Sequence, residues 1–392
     1  MTALSYGRDS SGIVVTQGRS APLRFGVLAS HTPTMCGVAN FSGALCDALQ
    51  ATGASVEVVR VADGQHSVAA RVVAELTGGS TDSIAECAAV LNQCDVAIIH
   101  HDVGVYGGDE GSDLVAVMRL LEVPTIVVAH AVPRHPSHQQ RTVFEEVLHR
   151  ADRIVVVSDA VGDRLRAHYD VWRGRVKTIP HGVTLAPTVS AKRSGRPTLL
   201  TWGLLRPGKG IERVIDAMAT LREVRGQPKY VIAGKTHPRT LATDGESYRT
   251  ALSDQVERAG LGTSVGFEPD YRGPGTLAAL VQSCAAVVLP YDATDQVTSG
   301  VLVQAVASGR PVVATAFPHA IDVLGSGAGI LVAHDDTEGL TAALRSVLTD
   351  PRLSGAMAAE GRRLAPSMAW SVVAEEYATL ATKLVREKRT HA

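Results

Sequence analysis

Aromatic residues are scarce in this chain, at 4% of 392 residues, so its core must be built from Val, Leu, Ala and Ile. The net charge is only −1, and lysine and arginine are spread along the sequence. Nucleic-acid grooves need clustered cations, so the charge pattern argues against a nucleic-acid partner. Cysteine is also rare: five residues, an odd number without CxxC spacing, indicate reduced thiols in a cytoplasmic protein rather than a thiolate metal site.

Long apolar runs are missing as well. None reaches the roughly 18 residues that a membrane-spanning helix needs. The first 21 residues are polar and rich in Gly and Ser, without the apolar centre of a signal peptide. We therefore expect residues 1–21 to be a disordered lead and the protein to be cytoplasmic, while peripheral contact with a membrane face stays open.

What the chain does have is a repeated alternation of short apolar runs and amphipathic stretches. Strands are predicted at 24–30, 55–61, 96–102, 125–130, 153–159 and 176–182, and again at 198–203, 229–234, 264–269, 285–291, 311–317 and 329–335. Helices are predicted at 38–51, 113–121, 137–151 and 371–387, with others starting near 210, 247, 275, 299, 337 and 351. Continuous apolar runs are typical of parallel strands that are covered on both faces.

Two series of this kind predict two tandem doubly wound, Rossmann-like α/β domains that face a cleft. A segment rich in Pro, Ser and charge, 185–198, is the predicted linker. We expect a first domain over 22–190, a second over 191–368, and a closing helix with a tail over 369–392. Ligands favour the carboxyl edge of such sheets.

One loop resembles an incomplete phosphate-binding loop. Gly203, four further residues and Gly208-Lys209 precede a helix, but Gly210 stands where a triphosphatase needs a hydroxyl for Mg²⁺. A lysine at a helix N-terminus favours an anion. The alternative is a glycine-rich turn with a surface lysine.

Three further loops carry candidate groups at strand ends. Gly37 and Val38 begin a helix, where their amides would contact a phosphate or simply allow close packing. His100, His101 and Asp102 would bind an acceptor or, less readily, a metal, because adjacent strand residues point to opposite faces. His130 is either a structural histidine or a cleft group that contacts a polar substrate.

The stretch from 291 to 320 is the most informative. A polar loop leads to Thr298, Ser299 and Gly300, which open a helix rich in Ala, Val and Leu. Free amides and hydroxyls at a helix N-terminus form another anion site, although a cap without a ligand has the same pattern.

In combination these motifs resemble family 4 glycosyltransferases of the GT-B fold. The segments that carry the resemblance are "CGVANFS", "AHAVP", "KTIPHGV", "WGLLRPGKGIERVIDAM", "TSGVLVQAVASGRPVVAT" and the closing "AWSVVAEEYATL". The order and spacing of the motifs, over about 23–385, are more specific than any one of them.

The resemblance implies a retaining hexosyltransferase that uses a nucleoside-diphosphate sugar, of the GDP-mannose or UDP-glucose type, and a carbohydrate acceptor. It assigns Lys209 and, from the opposite domain, Gly37 to the pyrophosphate, and His130 to the transferred sugar. Amides of Ser299, Gly300 and Val301 would hold sugar and phosphate. No metal or other cofactor is expected, because a lysine and two helix N-termini can stabilise a leaving diphosphate.

Two departures from the family pattern concern activity. Gln296 and Gln304 stand where the family often has glutamates, so hydrogen bonding is kept without charge, and Asp295 would supply a carboxylate. Leu204 stands at the family's loop arginine, and Arg206, two positions on, either reaches the pyrophosphate in its place or is a surface residue. A degenerate sugar-nucleotide-binding protein and a nucleotide-sugar 2-epimerase therefore stay open as alternatives, and the sequence does not fix the oligomeric state.

Overall fold

A computed structural model of the chain describes residues 22–185, 195–269, 274–294 and 297–391. The predicted lead at 1–21, linker residues 186–194, Asp295 and Gln296 lie outside these ranges.

The first half of the described chain forms a parallel sheet of seven strands. These are β1 (Arg24–Ala29), β2 (Ser55–Val61), β3 (Val72–Leu76), β4 (Val96–His101), β5 (Thr125–Ala129), β6 (Arg153–Val156) and β7 (Val176–Thr178). Their order is β3-β2-β1-β4-β5-β6-β7. Strands β4 and β5 are buried at every position, as continuous apolar runs covered on both faces require.

The second half forms a parallel sheet of six strands in the described residues. These are β8 (Thr198–Trp202), β9 (Lys229–Ala233), β10 (Val265–Glu268), β11 (Ala286–Leu289), β12 (Val312–Thr315) and β13 (Gly329–Val332). The order is β10-β9-β8-β11-β12-β13. The strand order therefore reverses between β1 and β4 in one sheet and between β8 and β11 in the other, which marks two ligand-binding edges.

Helices cover both faces of the two sheets. Around the first sheet lie α1 (Gly37–Ala51), α2 (Thr81–Asn92), α3 (Ser112–Arg119), α4 (His138–Arg150) and α5 (Asp159–His168). Around the second lie α6 (Ile211–Leu221), α7 (Pro238–Asp244), α8 (Ser247–Arg258), α9 (Pro274–Ser283), α10 (Gly300–Ala307), α11 (Pro318–Leu324), α12 (Thr337–Thr349) and α13 (Pro351–Leu364). Short 3₁₀ turns occupy Asp109–Gly111, Arg173–Arg175 and Ala365–Met368.

The last helix, α14 (Trp370–His391), packs against the first sheet rather than the second. Its side chains Val373, Tyr377 and Leu384 share a core with Phe25 and Leu45. In the described part of the chain, no helix combines the length and the apolar character needed to cross a membrane.

The predicted two-sheet α/β fold is confirmed, and the differences are an unpredicted strand and shifted element bounds. Strand β3 was not predicted, because it is a half-buried edge strand with a weak apolar pattern. Predicted strands also extend too far: the run at 285–291 ends at Leu289, because buried Tyr291 belongs to the loop that follows. Apolar residues in buried loops look like strand in the sequence.

Candidate active site

The loop between β8 and α6 brings Lys209 onto the face of an aromatic ring. The Lys209 Nζ lies 4.0 Å from the ring centroid of Tyr291, which follows the neighbouring strand β11. Burial, and to a lesser degree the charge of Arg206, lowers the pKa of Lys209 to about 7. No carboxylate of the described residues lies within ion-pair distance of this lysine. Such a cation is suited to an anionic ligand.

Gly210 has a packing reason that the sequence did not reveal. Its φ is +63°, a left-handed conformation, and a Cβ there would collide with the carbonyl oxygen of Pro290. A Ser or Thr at this position is therefore excluded by geometry. The close approach of this loop to the end of β11 therefore explains why a glycine, and not a residue with a hydroxyl, stands at this position.

Arg206 lies on the exposed side of the same loop. Its side chain has no hydrogen bond or ion pair with any described residue, although its backbone carbonyl accepts a hydrogen bond from the Lys209 amide at 3.3 Å. Its charge nevertheless adds to the lowering of the Lys209 pKa, and it opposes the rise that burial causes in the pKa of Asp102, which directly follows β4 of the first sheet. Arg206 is therefore close enough to groups of both halves of the chain to influence their charge, and its contact with a pyrophosphate stays a prediction.

Helix α1 begins at Gly37 as expected, with Cys36 as its N-cap. The Cys36 Sγ accepts a hydrogen bond from the Ala39 amide at 3.3 Å. Gly37 is exposed, and a Cβ added there meets no described atom within 4 Å, whereas Val38 is buried. Close packing therefore does not require this glycine, which favours the interpretation that a ligand approaches it.

Helix α10 presents fewer free amides than we expected. Ser299 is its N-cap and accepts from the Leu302 amide at 3.3 Å, but the Ser299 amide itself donates to His319 Nδ1 at 2.9 Å. In the structure this amide already has a hydrogen-bond acceptor, so it is not free to bind a ligand. The Gly300 and Val301 amides have no acceptor among the described residues.

His130 joins the two halves of the site. Its side chain is buried at the end of β5, and its Nε2 lies 2.9 Å from Nδ1 of His100. Its backbone oxygen accepts a hydrogen bond from the Thr298 hydroxyl at 3.1 Å, across the cleft. Burial, followed by the neighbouring histidines, holds the His130 pKa well below its usual range. The imidazole is therefore neutral at pH 7 and can act as a hydrogen-bonding group.

Phe41 of α1 is the centre of a ring cluster that sequence reasoning missed. Edge-to-face contacts join it to His100, His130, His181 and Trp370, at centroid distances of 4.9 to 5.5 Å. A Cβ on Gly300 would lie 3.2 Å from the His181 ring, so His181 touches the start of α10. The sequence signals for His181 were its place in the predicted strand 176–182 and in the segment "KTIPHGV", and neither indicated these contacts.

The two predicted glutamines and the adjacent histidines are the remaining predicted site residues. Gln304 is half-buried one turn beyond Gly300, without a recorded side-chain hydrogen bond to a described residue. Gln296 lies outside the described residues. Over the ranges that the structure covers, no group of three His, Cys, Asp or Glu side chains could hold a metal ion. His100 and His101 contact different helices, through Phe41 and Phe144 respectively.

Two family models match consecutive parts of the chain. Residues 35–186 match the model described as Glycosyltransferase Family 4, and residues 185–364 match Glycosyl transferases group 1. The glycogen synthase of Mycobacterium tuberculosis is 27% identical over 278 residues, which are 66% of this chain and 63% of that protein. The D-inositol 3-phosphate glycosyltransferase of Streptomyces avermitilis is 25% identical over 272 residues, 65% of this chain and 57% of that protein. The matches thus span about three fifths of these relatives' length.

Solved structures share the fold. Anabaena HepE in complex with UDP and glucose has a TM-score of 0.74 at 17% identity, and covers 92% of this chain and 100% of its own. Sucrose-phosphate synthase from Thermosynechococcus elongatus has a TM-score of 0.72 at 18% identity, with coverages of 93% and 100%. Together with the consecutive family matches, the two facing parallel sheets show that the chain belongs to the family 4 glycosyltransferases of the GT-B fold.

Proposed function

We propose that this chain is a retaining hexosyltransferase. It moves a hexose from a nucleoside-diphosphate sugar, of the GDP-mannose or UDP-glucose type, to a carbohydrate or glycoconjugate acceptor. The observation that carries the proposal is Lys209, a half-buried cation over Tyr291 with no carboxylate partner among the described residues. The names of the relatives, a glycogen synthase and an inositol-phosphate glycosyltransferase, support a sugar-transfer activity.

The chemistry requires stabilisation of a leaving diphosphate. Lys209 and Arg206 supply positive charge from the second sheet, and the Gly300 and Val301 amides lie at the N-terminus of α10. Gly37 offers its amide from the opposite side of the cleft. Fixed donors in a water-poor cleft stabilise developing negative charge strongly, so the proposal needs no metal ion.

The transferred sugar lies, in this proposal, beside His130. Its neutral imidazole is fixed by the 2.9 Å contact with His100 and offers a hydrogen bond to a sugar hydroxyl. The hydrogen bond from the Thr298 hydroxyl to the His130 backbone oxygen holds the histidine close to the start of α10. The cytoplasmic location stays a prediction.

The test is release of nucleoside diphosphate from UDP-glucose and GDP-mannose, with candidate sugar acceptors. We expect Lys209→Ala to lower turnover by about 100-fold or more, since it removes a charge from a desolvated site. Lys229→Ala, at the exposed start of β9, is the matched control and should behave like wild type.

Two outcomes favour the alternatives. Tight binding of a sugar nucleotide without transfer or hydrolysis indicates a degenerate binding protein. This alternative is considered because the uncharged Gln304 stands where the family often has a glutamate. Isomerisation of the sugar nucleotide without an acceptor indicates an epimerase. Unchanged turnover in Lys209→Ala contradicts the assignment of the donor site.

A further inference from the structure

The loop that follows β4 carries a carboxylate into the cleft. Asp102 stands directly after the last residue of β4, at the carboxyl edge where the strand order reverses. Its Oδ1 accepts a hydrogen bond from the Val103 amide at 2.9 Å. Its Oδ2 has no hydrogen-bond partner among the residues that the structure describes. One carboxylate oxygen is therefore left without a protein partner in the described part of the chain.

The backbone around Asp102 is held in place. The Tyr106 hydroxyl donates to the His100 carbonyl at 2.9 Å, and it also approaches the Leu28 carbonyl at 3.3 Å. The Asp113 amide donates to the Gly107 carbonyl at 3.2 Å. A loop tied back to the sheet on both sides of its turn presents the carboxylate in a fixed direction.

Two cations from the second half of the chain lie near enough to influence this carboxylate, but neither forms an ion pair with it. Arg239 of α7 donates to the Gly104 carbonyl at 3.1 Å, and Arg206 lies on the donor loop. Burial raises the pKa of Asp102 to about 6, and the charges of Arg239 and Arg206 oppose that rise. Neither arginine forms an ion pair with Asp102 in the described structure. A gap therefore remains between the carboxylate and the guanidinium groups.

This position does not suit a donor-binding role. A carboxylate near Arg206 repels a diphosphate that binds to Arg206 and Lys209, so Asp102 weakens donor binding. A half-buried carboxylate with one open oxygen also needs a hydrogen-bond donor. A sugar or polyol hydroxyl is such a donor, and it carries no charge that the neighbouring cations would repel.

We infer that Asp102 accepts a hydrogen bond from the attacking hydroxyl of the acceptor, which is a neutral sugar or polyol group. The inference rests on the proposed function. In the step, the acceptor oxygen forms a bond to the anomeric carbon as the bond to the diphosphate oxygen breaks. The diphosphate leaves with the electron pair, and the acceptor proton passes to its oxygen. Asp102 orients the hydroxyl and keeps its own charge.

The experiment uses water as the simplest acceptor, so the natural acceptor need not be known. Hydrolysis of UDP-glucose and GDP-mannose and the affinity for UDP and GDP are measured for wild type and Asp102→Asn. The matched control is Asp109→Asn, which removes the same charge from an exposed site seven residues further along. Folding is checked by the melting temperature of each variant.

We expect Asp102→Asn to lower donor hydrolysis about tenfold, because the hydroxyl then donates to a neutral amide oxygen instead of a charged carboxylate. Its affinity for the nucleoside diphosphate should be unchanged or several-fold tighter, because a repelling charge is gone. Unchanged hydrolysis, or a weakened diphosphate affinity, overturns the inference. A wild-type protein that binds neither UDP nor GDP contradicts the proposed function instead, so the two failures are distinguishable.

Discussion

At the scale of single residues, Lys209 explains how a surface loop becomes an anion site. Its ammonium group lies over the Tyr291 ring, and burial lowers its pKa to about 7. In the free protein this lysine is therefore only partly protonated near neutral pH. A bound diphosphate stabilises the charged form and raises the pKa again.

Donor binding should therefore be coupled to proton uptake. We expect UDP or GDP binding at pH 7.5 to take up a fraction of a proton, and the affinity to fall as pH rises above about 7. Calorimetry in two buffers of different ionisation enthalpy measures the uptake. Lys209→Arg is the control, because arginine stays charged and should bind without uptake. Equal heats in both buffers for wild type would contradict the assigned state of Lys209.

Sequence patterns could locate single site residues but not the contacts between them. His130 and Lys209 could be proposed because each stands at a strand end or a helix start, which sequence patterns locate. His100, His181 and His319 could not be assigned their contacts, because their partners are distant in sequence. The loss of the Ser299 amide to His319 is one such contact.

At the scale of elements, a buried arginine organises the loop that leads to Gly37. Arg60 of β2 is fully buried. Its guanidinium donates to the carbonyls of His31 at 3.3 Å and Gln65 at 2.9 Å, and to the Thr34 hydroxyl at 3.0 Å. It also pairs with Asp63 and Glu75. The sequence offers no sign of this network, since Arg60 interrupts an otherwise apolar strand.

Removal of the Arg60 side chain should lower the stability of the protein and weaken its binding of the sugar-nucleotide donor. Arg60→Met leaves several polar groups without partners, so we expect a loss of about 1–3 kcal/mol and weaker binding of nucleoside diphosphate through displacement of Gly37. Arg24→Met is the control: Arg24 is half exposed and makes one ion pair with Glu57, which contributes about 0–1 kcal/mol. Thermal melting and calorimetry measure the two effects. Equal behaviour of the two variants would show that Arg60 does not position the loop.

At the scale of the whole molecule, the two sheets are joined by a few directional contacts. Thr298 bonds to His130, Arg239 bonds to Gly104, and the Asp322 carboxylate accepts from the Ala160 amide at 3.2 Å. Alternating strands and helices, a local pattern, predicted both sheets. These contacts could not be predicted, because they depend on how one sheet faces the other.

Buried histidines make the stability of the molecule depend on pH. Burial lowers the pKa of His101 and His181 to about 4 and of His100 and His319 to about 3. Below about pH 6.5 the unfolded chain binds protons that the folded chain does not. The folded state is therefore fully stable with respect to these histidines above pH 6.5, and it loses free energy of unfolding as the pH falls toward about 4 to 3.

We therefore expect the melting temperature to fall between pH 7.5 and pH 5. At pH 5 each such histidine should lower the free energy of unfolding by about 2 kcal/mol. His101→Leu removes one titrating group that packs on Phe144, away from the Phe41 cluster, and its melting temperature should fall less steeply. A wild-type melting temperature that is constant over this range would contradict the neutral state of the histidines.

In the proposed function, the cleft binds a nucleoside-diphosphate sugar through Lys209. A thermal-shift panel of UDP, GDP, ADP and their sugars against wild type, Lys209→Ala and Lys229→Ala tests it most directly. We expect one nucleotide and its sugar to raise the melting temperature of wild type and Lys229→Ala by several degrees, but not that of Lys209→Ala. No shift with any nucleotide, or equal shifts in all three proteins, would contradict it.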